Sequence, residues 1–184
     1  MEYLLSDPLG ENSPLQIRKD TPDETLDRIP FLRLTEEFLK IMRRDGSIRL
    51  TPLGALPKKT LCELYDLGFI KEEPIESGVV KLRREIDSVV LTSLHVTTKL
   101  AGLARKNAGR LSLTPEGTRL LHPDNRKELL RLILNTFTGK FNWSYKMTAI
   151  RANLPDSLAG DSRCISFVRP AERNKRYGST PTDI

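Results

Sequence analysis

The sequence predicts a mainly α fold with small β-hairpins, an α+β chain, and three observations carry that prediction. Apolar residues recur at helical spacing in four separate stretches, each closed by a glycine. Between these stretches lie short alternating segments of strand length. Third, a nine-residue pattern occurs twice. Gly46-Ser47-Ile48-Arg49-Leu50-Thr51-Pro52-Leu53-Gly54 stands against Gly109-Arg110-Leu111-Ser112-Leu113-Thr114-Pro115-Glu116-Gly117, with five identical positions. Each copy describes a turn glycine, an alternating strand and a threonine-proline step into a helix or turn. The repeat allows two tandem units.

The elements follow in order. Turn formers without a period, Asp7-Pro8-Leu9-Gly10 and Asn12-Ser13-Pro14, read as a flexible arm. Thr21-Pro22-Asp23-Glu24 reads as a cap, a first helical proline and a glutamate three residues on, and opens a short helical turn that ends before Pro30. Phe31, Leu34, Phe38, Ile41 and Met42 then mark a helix near 31–44, with Lys40, Arg43 and Arg44 at its negative end. Asp45-Gly46 stops it, Ile48 and Leu50 alternate with outward Ser47, Arg49 and Thr51, and Thr51-Pro52 starts a new turn. A helix near 57–67 turns Leu61, Leu64 and Tyr65 inward, with Cys62 as a small buried hydrophobe and Gly68 as a left-handed stop. Glu72-Glu73-Pro74 through Ser77-Gly78 reads as a linker.

In the second half, Ile86, Val90, Leu94, Thr97 and Ala101 share one face of a helix near 87–101, although Val89, Val90, Thr92, Val96, Thr97 and Thr98 are poor helix formers. Gly102 closes it. A β-hairpin over about 103–114 turns at Asn107-Ala108-Gly109, and Thr114-Pro115-Glu116 caps a short helix. Leu94, Leu100, Leu103, Leu111 and Leu113 are expected to form the core of this half. Asp124 caps a last helix near 124–138, with Leu130, Ile133, Leu134 and Phe137 inside and Gly139 at its end. Phe141, Trp143 and Tyr145 alternate, either folded back on the core or offered as a stacking platform for bases. Beyond them the periodicity fails, and the last fifteen residues are expected to be disordered. The expected organisation is an acidic arm over 1–29, a first helical unit over 30–76, a second unit over 77–145 and an irregular tail over 146–184.

Charge is uneven across these regions. The net is −4 over 1–29, zero over 30–76, +5 over 77–122, +2 over 123–145 and +3 over 146–184, within a total of +6. A basic second half beside an acidic arm suits a polyanion-binding face. The two cysteines, Cys62 and Cys164, have no metal-ligand spacing, and His95 and His122 sit in no motif, so neither a zinc site nor an activated nucleophile is expected. No glycine-rich phosphate loop is present, and no metal or cofactor is expected. The chain is therefore not expected to be an enzyme. There is no run of about eighteen apolar residues and no apolar leader. The expectation is a cytoplasmic protein without a membrane partner.

Leu100-Ala101-Gly102-Leu103, the hairpin from Arg105 and the step Leu113-Thr114-Pro115-Glu116-Gly117 resemble a winged-helix unit, as many bacterial transcription regulators write it. Over residues 30–145 the chain also resembles an uncharacterised bacterial family with tandem leucine-threonine-x-x-glycine wings, often associated with a plasmid-type open-reading-frame domain. The residues that carry this are Leu50-Thr51-Pro52-Leu53-Gly54-Ala55-Leu56-Pro57, then Leu113 to Gly117, then Phe141-Asn142-Trp143. Residues 146–184 do not continue the pattern. The winged-helix resemblance implies binding to double-stranded DNA, with the helix before the hairpin in the major groove and cations of the wing on phosphate. Thr92, Ser93, Thr98 and Lys99 would make the helix contact. Arg105, Lys106, Asn107 and Arg110 would make the wing contact, and Arg83 and Arg84 would reach backbone phosphate. Against this, the helix has a single cation and no arginine or glutamine for bidentate base reading, and His95 reads as a core residue. The alternative is a protein-interaction module, since fold does not dictate function. Glu63, Asp66, Glu72, Glu73 and Glu76 beside Lys58 and Lys59 suit a protein partner.

Overall fold

The computed structural model describes residues 17, 18 and 20–140, all within one compact unit. Residues 1–16 and 19 of the expected arm over 1–29, the aromatic segment with Phe141, Trp143 and Tyr145, and the tail lie outside the described residues, while the last stretch of that arm is helical and buries Leu26 in the core. The elements are α1 (Asp23–Asp27), α2 (Pro30–Asp45), β1 (Ile48–Arg49), α3 (Lys58–Asp66), α4 (Glu73–Glu76), a 3-10 turn (Glu85–Asp87), α5 (Val89–Leu100), β2 (Ala104–Asn107), β3 (Arg110–Leu113) and α6 (Pro115–Leu120). A second 3-10 turn (Pro123–Asn125), α7 (Arg126–Asn135) and a π-helical turn (Thr136–Lys140) follow. The fold is mainly helical, with one three-stranded antiparallel sheet in the order β1-β3-β2.

That strand order corrects the tandem reading. The first copy of the repeated pattern makes no sheet of its own. Its strand pairs with the second copy, Ile48 opposite Leu111 and Arg49 opposite Arg110. A strand of two residues cannot persist alone, so it closes the hairpin of the second half instead. One core runs through both halves, and Phe38, Leu39 and Met42 of α2, Leu61 and Leu64 of α3, Leu91 and Leu94 of α5, and Leu103 and Leu111 beside them are all buried in it. Residues 76 and 77 are therefore no boundary.

The linker reading changes for the same reason. Glu72 reaches forward to the start of α5, where its carboxylate accepts from the Val89 N–H at 2.8 Å and from the Ser88 hydroxyl. Ser88 in turn accepts from Leu91 N–H at 3.0 Å and caps α5. A distant glutamate and a local serine together satisfy amides that an α-helix leaves open at its first turn.

Several capping expectations fail by a residue or two. Thr21 does not cap α1. Its hydroxyl donates to Arg18 O, and Pro22 occupies the cap position without a side-chain bond. Asp124 is exposed within a 3-10 turn, and α7 starts two residues later. Thr51 organises a turn rather than a helix. Thr114 does cap α6, accepting from Gly117 N–H at 3.0 Å. Of the expected core leucines, Leu94, Leu103 and Leu111 are buried, Leu113 is half-buried, and Leu100 is 41% exposed on the outer side of α5. Ile86 and Leu134 are exposed and Cys62 is half-buried, each at the rim of the packed face rather than within it.

Candidate nucleic-acid interface

Residues alternate across a strand, so pairing register decides which side chains share a face. Leu111 and its partner Ile48 are buried, so their face is the core face. Arg110 then points the other way, with its partners Arg49 on β1 and Asn107 on β2. Arg105 joins the same outer face opposite Ser112. Lys106 pairs with Leu111 and shares the inner side, but at the exposed end of the strand. Its stem bends over the Thr51 turn, so that a Cβ added at Gly54 would meet Lys106 Nζ at 2.9 Å.

Arg49 and Arg110 stand closer than most cross-strand neighbours. Leu50 N–H donates to Gly109 O at 2.9 Å, which makes that pair hydrogen-bonded and the adjoining Arg49–Arg110 pair the non-bonded kind. In such pairs the Cα atoms approach to about 4.5 Å. Like charges directly opposite one another cost stability, and Arg110 turns one guanidinium nitrogen to Ser47 Oγ at 3.1 Å. Among the described residues no carboxylate lies within ion-pair distance of Arg49, Arg105, Lys106 or Arg110.

Three arginines elsewhere are neutralised, whereas Arg28, Arg43 and Arg83 are exposed and, like the sheet cations, join no ion pair among the described residues. Arg44 bonds Asp45 and Glu63 at 2.7 and 2.6 Å. Arg119 bridges Glu116 and Glu128 at 2.7 and 2.5 Å and holds both carboxyls below the usual range. Arg126, largely buried, bonds Glu36 and Asp27 at 2.7 and 2.8 Å. The sheet therefore presents a cationic face that internal pairing leaves open, the electrostatic requirement for gripping a polyanion.

The hairpin tip is a two-residue turn with Ala108 at φ +46° and Gly109 at φ +73°. Two successive positive φ values make it a type I′ turn, whose first position favours asparagine, aspartate or glycine. An alanine in the left-handed region costs about 1–2 kcal/mol. Ala108 is exposed, so Ala108→Asn has no contact to break. It is expected to raise stability by about 0.5–1 kcal/mol, measured as an increased urea midpoint. No increase would show that the turn is relaxed by some other means.

The helix contact is smaller than expected. Helix α5 packs against α2, α3, β2 and the π-helical turn, which leaves it one open strip. Thr98 is 1% exposed, with its hydroxyl donated to Leu94 O at 2.6 Å, and Ser93 is buried with its hydroxyl on Val89 O at 2.7 Å. Both leave the candidate surface, because buried hydroxyls on a helix satisfy themselves on the preceding turn. Thr92 is half-buried and donates to Glu85 O and Ser88 O, both at 2.7 Å. Lys99 is exposed. The open strip is Val89, Thr92, Val96, Lys99 and Leu100, with one cation and no base-reading amide.

Arg83 and Arg84 are exposed just before the 3-10 turn, and their N–H groups donate to Asp87 at 3.0 and 2.7 Å. The Arg84 guanidinium pairs with Asp87 at 3.4 Å. They lie at the opposite end of α5 from the hairpin, about 18 Å along a helix of this length. The residue that sequence reading missed is Arg49. Its alternation with Ile48 marked it as outward, but its place beside Arg110 depends on a pairing across 61 positions.

Among the described residues no group of three or more histidine, cysteine, aspartate or glutamate side chains is arranged to hold a metal ion, and no helix is long and apolar enough to cross a membrane. No protein-family model, curated protein or solved structure matches the chain.

Proposed function

We propose that residues 30–140 form a single winged-helix unit that binds double-stranded DNA through its phosphate backbone, with little reading of base sequence. The order helix, strand, the two longer helices α3 and α5 with the single-turn α4 between them, and hairpin supports the fold reading, with the early strand joined to the second strand of the hairpin. The observation that carries the DNA reading is the Arg49–Arg110 pair. Two arginines stand directly opposite each other in the strand register with no carboxylate of the described residues within ion-pair distance, and Arg105 lies on the same outer face. A bound phosphate relieves their repulsion and converts a cost of folding into affinity. The weak sequence preference follows from the strip on α5, where Val89, Val96 and Leu100 offer no hydrogen bond to a base edge.

The test is a titration of mixed-sequence duplex by fluorescence anisotropy over a range of salt. Arg49→Ala with Arg110→Ala is expected to weaken binding to every duplex alike and to lower the salt slope by about two, close to one unit for each phosphate no longer neutralised. Thr98→Ala is expected to alter stability and leave duplex preference untouched. Absence of duplex binding by the intact protein at low salt would overturn the proposal.

A second reading, a protein-interaction module, draws support from the same strip. Ile86, Val89 and Leu100 are exposed apolar side chains along one side of α5 and the turn before it, where a DNA-reading helix carries polar groups. In that case Leu100→Asp abolishes partner capture and leaves the salt-dependent duplex titration unchanged.

A further inference from the structure

Leu53 is 97% exposed, far beyond any other large apolar residue described. A lone exposed leucine is ordinary, but two features set this one apart. The first is rigidity. Leu53 rides on a turn in which Gly54 N–H donates to Thr51 O at 2.8 Å, Thr51 N–H to Ala55 O at 2.9 Å and Ala55 N–H to Thr51 Oγ1 at 3.1 Å. Pro52 fixes the position before it, and Gly54 takes the left-handed conformation at φ +79° that closes the turn. The side chain is thus held out into solvent on a backbone with little freedom left to lose. The second feature is its setting. Thr51 and Pro52 line an open groove together with Arg49, Lys106 and Arg110, and the Lys106 ammonium lies against Gly54. A rigid apolar tip is therefore framed by cations without acidic partners.

From this geometry we infer that Leu53 is a wedge that enters a base step from the minor groove of bound duplex and kinks it. The inference rests on the duplex-binding reading above. Proteins that bend DNA from the minor groove insert leucine, phenylalanine or proline between bases, with flanking cations on the phosphates, and produce kinks of about 20–90°. An anionic lipid surface shares the demand for cations, but stable attachment to one takes more than a single short apolar side chain.

The experiment uses the full chain and a short duplex with a central thymine-adenine step, the most easily unstacked kind, carrying a donor and an acceptor dye at its ends. Saturation with the intact protein is expected to raise energy transfer. Leu53→Ala is expected to lose that rise while keeping the salt slope of binding, and Leu53→Phe to retain it. Binding with no rise, or an equal rise with Leu53→Ala, overturns the wedge and leaves backbone binding standing. Absence of duplex binding overturns both readings. Leu53-dependent capture by phosphatidylserine vesicles without duplex bending overturns the wedge in favour of a lipid surface.

Discussion

Gly117→Ala is expected to destabilise the protein by about 3 kcal/mol or more, at the upper end of what overpacking costs. A Cβ at this position would fall 2.2 Å from the carbonyl oxygen of Leu103 and 2.9 Å from Leu113 Cδ1. The leucine methyl can move, but the carbonyl cannot. It accepts from Thr114 N–H and from the Thr114 hydroxyl, both at 3.0 Å, and that hydroxyl also donates to Gly102 O at 2.7 Å while capping Gly117 N–H. The end of α5, the start of α6 and the sheet are joined at this point. Alanine gains up to about 1 kcal/mol over glycine from helix propensity, which the clash exceeds. Urea unfolding of the two proteins measures the difference. A loss below about 1 kcal/mol would mean that α6 can slide away from Leu103, and that the glycine of the leucine-threonine-x-x-glycine step is dispensable.

The second large effect is expected at a buried polar pair. Glu85 is 6% exposed and His95 is buried beside it, with Nδ1 of the imidazole 2.9 Å from one carboxyl oxygen of Glu85. The other oxygen accepts from Leu56 N–H at 2.6 Å. One carboxyl thus ties α5 to the segment that leads into α3. Glu85→Ala strips two buried groups of their partner at once, and each costs about 1–3 kcal/mol when left unsatisfied. The expected loss is about 3–5 kcal/mol, the range for a buried pair broken from one side. Glu85→Gln keeps a carbonyl oxygen for Leu56 and is expected to fall between the two. Equal urea midpoints for Glu85→Ala and Glu85→Gln would show that the amide of Leu56 finds another acceptor and that the pair does not organise this junction.

Local chemistry was legible in the residues that obey a period. Phe38 and Met42, Leu61 and Leu64, and Val90 and Leu94 with their neighbours imply helices that the structure places at 30–45, 58–66 and 89–100. Stops at Gly68 and Gly102, at φ +69° and +73°, follow from the same patterns. So do the hairpin and the Thr114 cap. Each of these depends on residues within a few positions of one another. Cap assignments at Thr21 and Asp124 erred because several turn formers lie together there and differ by little in energy.

Candidate site residues were legible only by charge. Arg105, Lys106 and Arg110 announce themselves around a hairpin, but Arg49 belongs with them solely because β1 pairs with β3. Ser93 and Thr98 look like surface polar groups in the sequence, yet they lie inside because α5 is covered on most of its circumference. A hydroxyl that can bond to its own helix fits either environment, so its residue type does not reveal burial.

By itself, the sequence determined the helices, the hairpin, the α+β class and the excess of cations after residue 77. Spacing of apolar residues and the conformational limits of glycine, proline and threonine act over single turns, and those limits are written locally. Only the tertiary structure decided that the two copies of the repeat share one sheet, that the Glu72 segment anchors α5, that Glu85 and His95 meet, and that Arg49 faces Arg110. These depend on contacts between residues 10 to 63 positions apart, where the free energy comes from burying a common core and no local preference selects the partner.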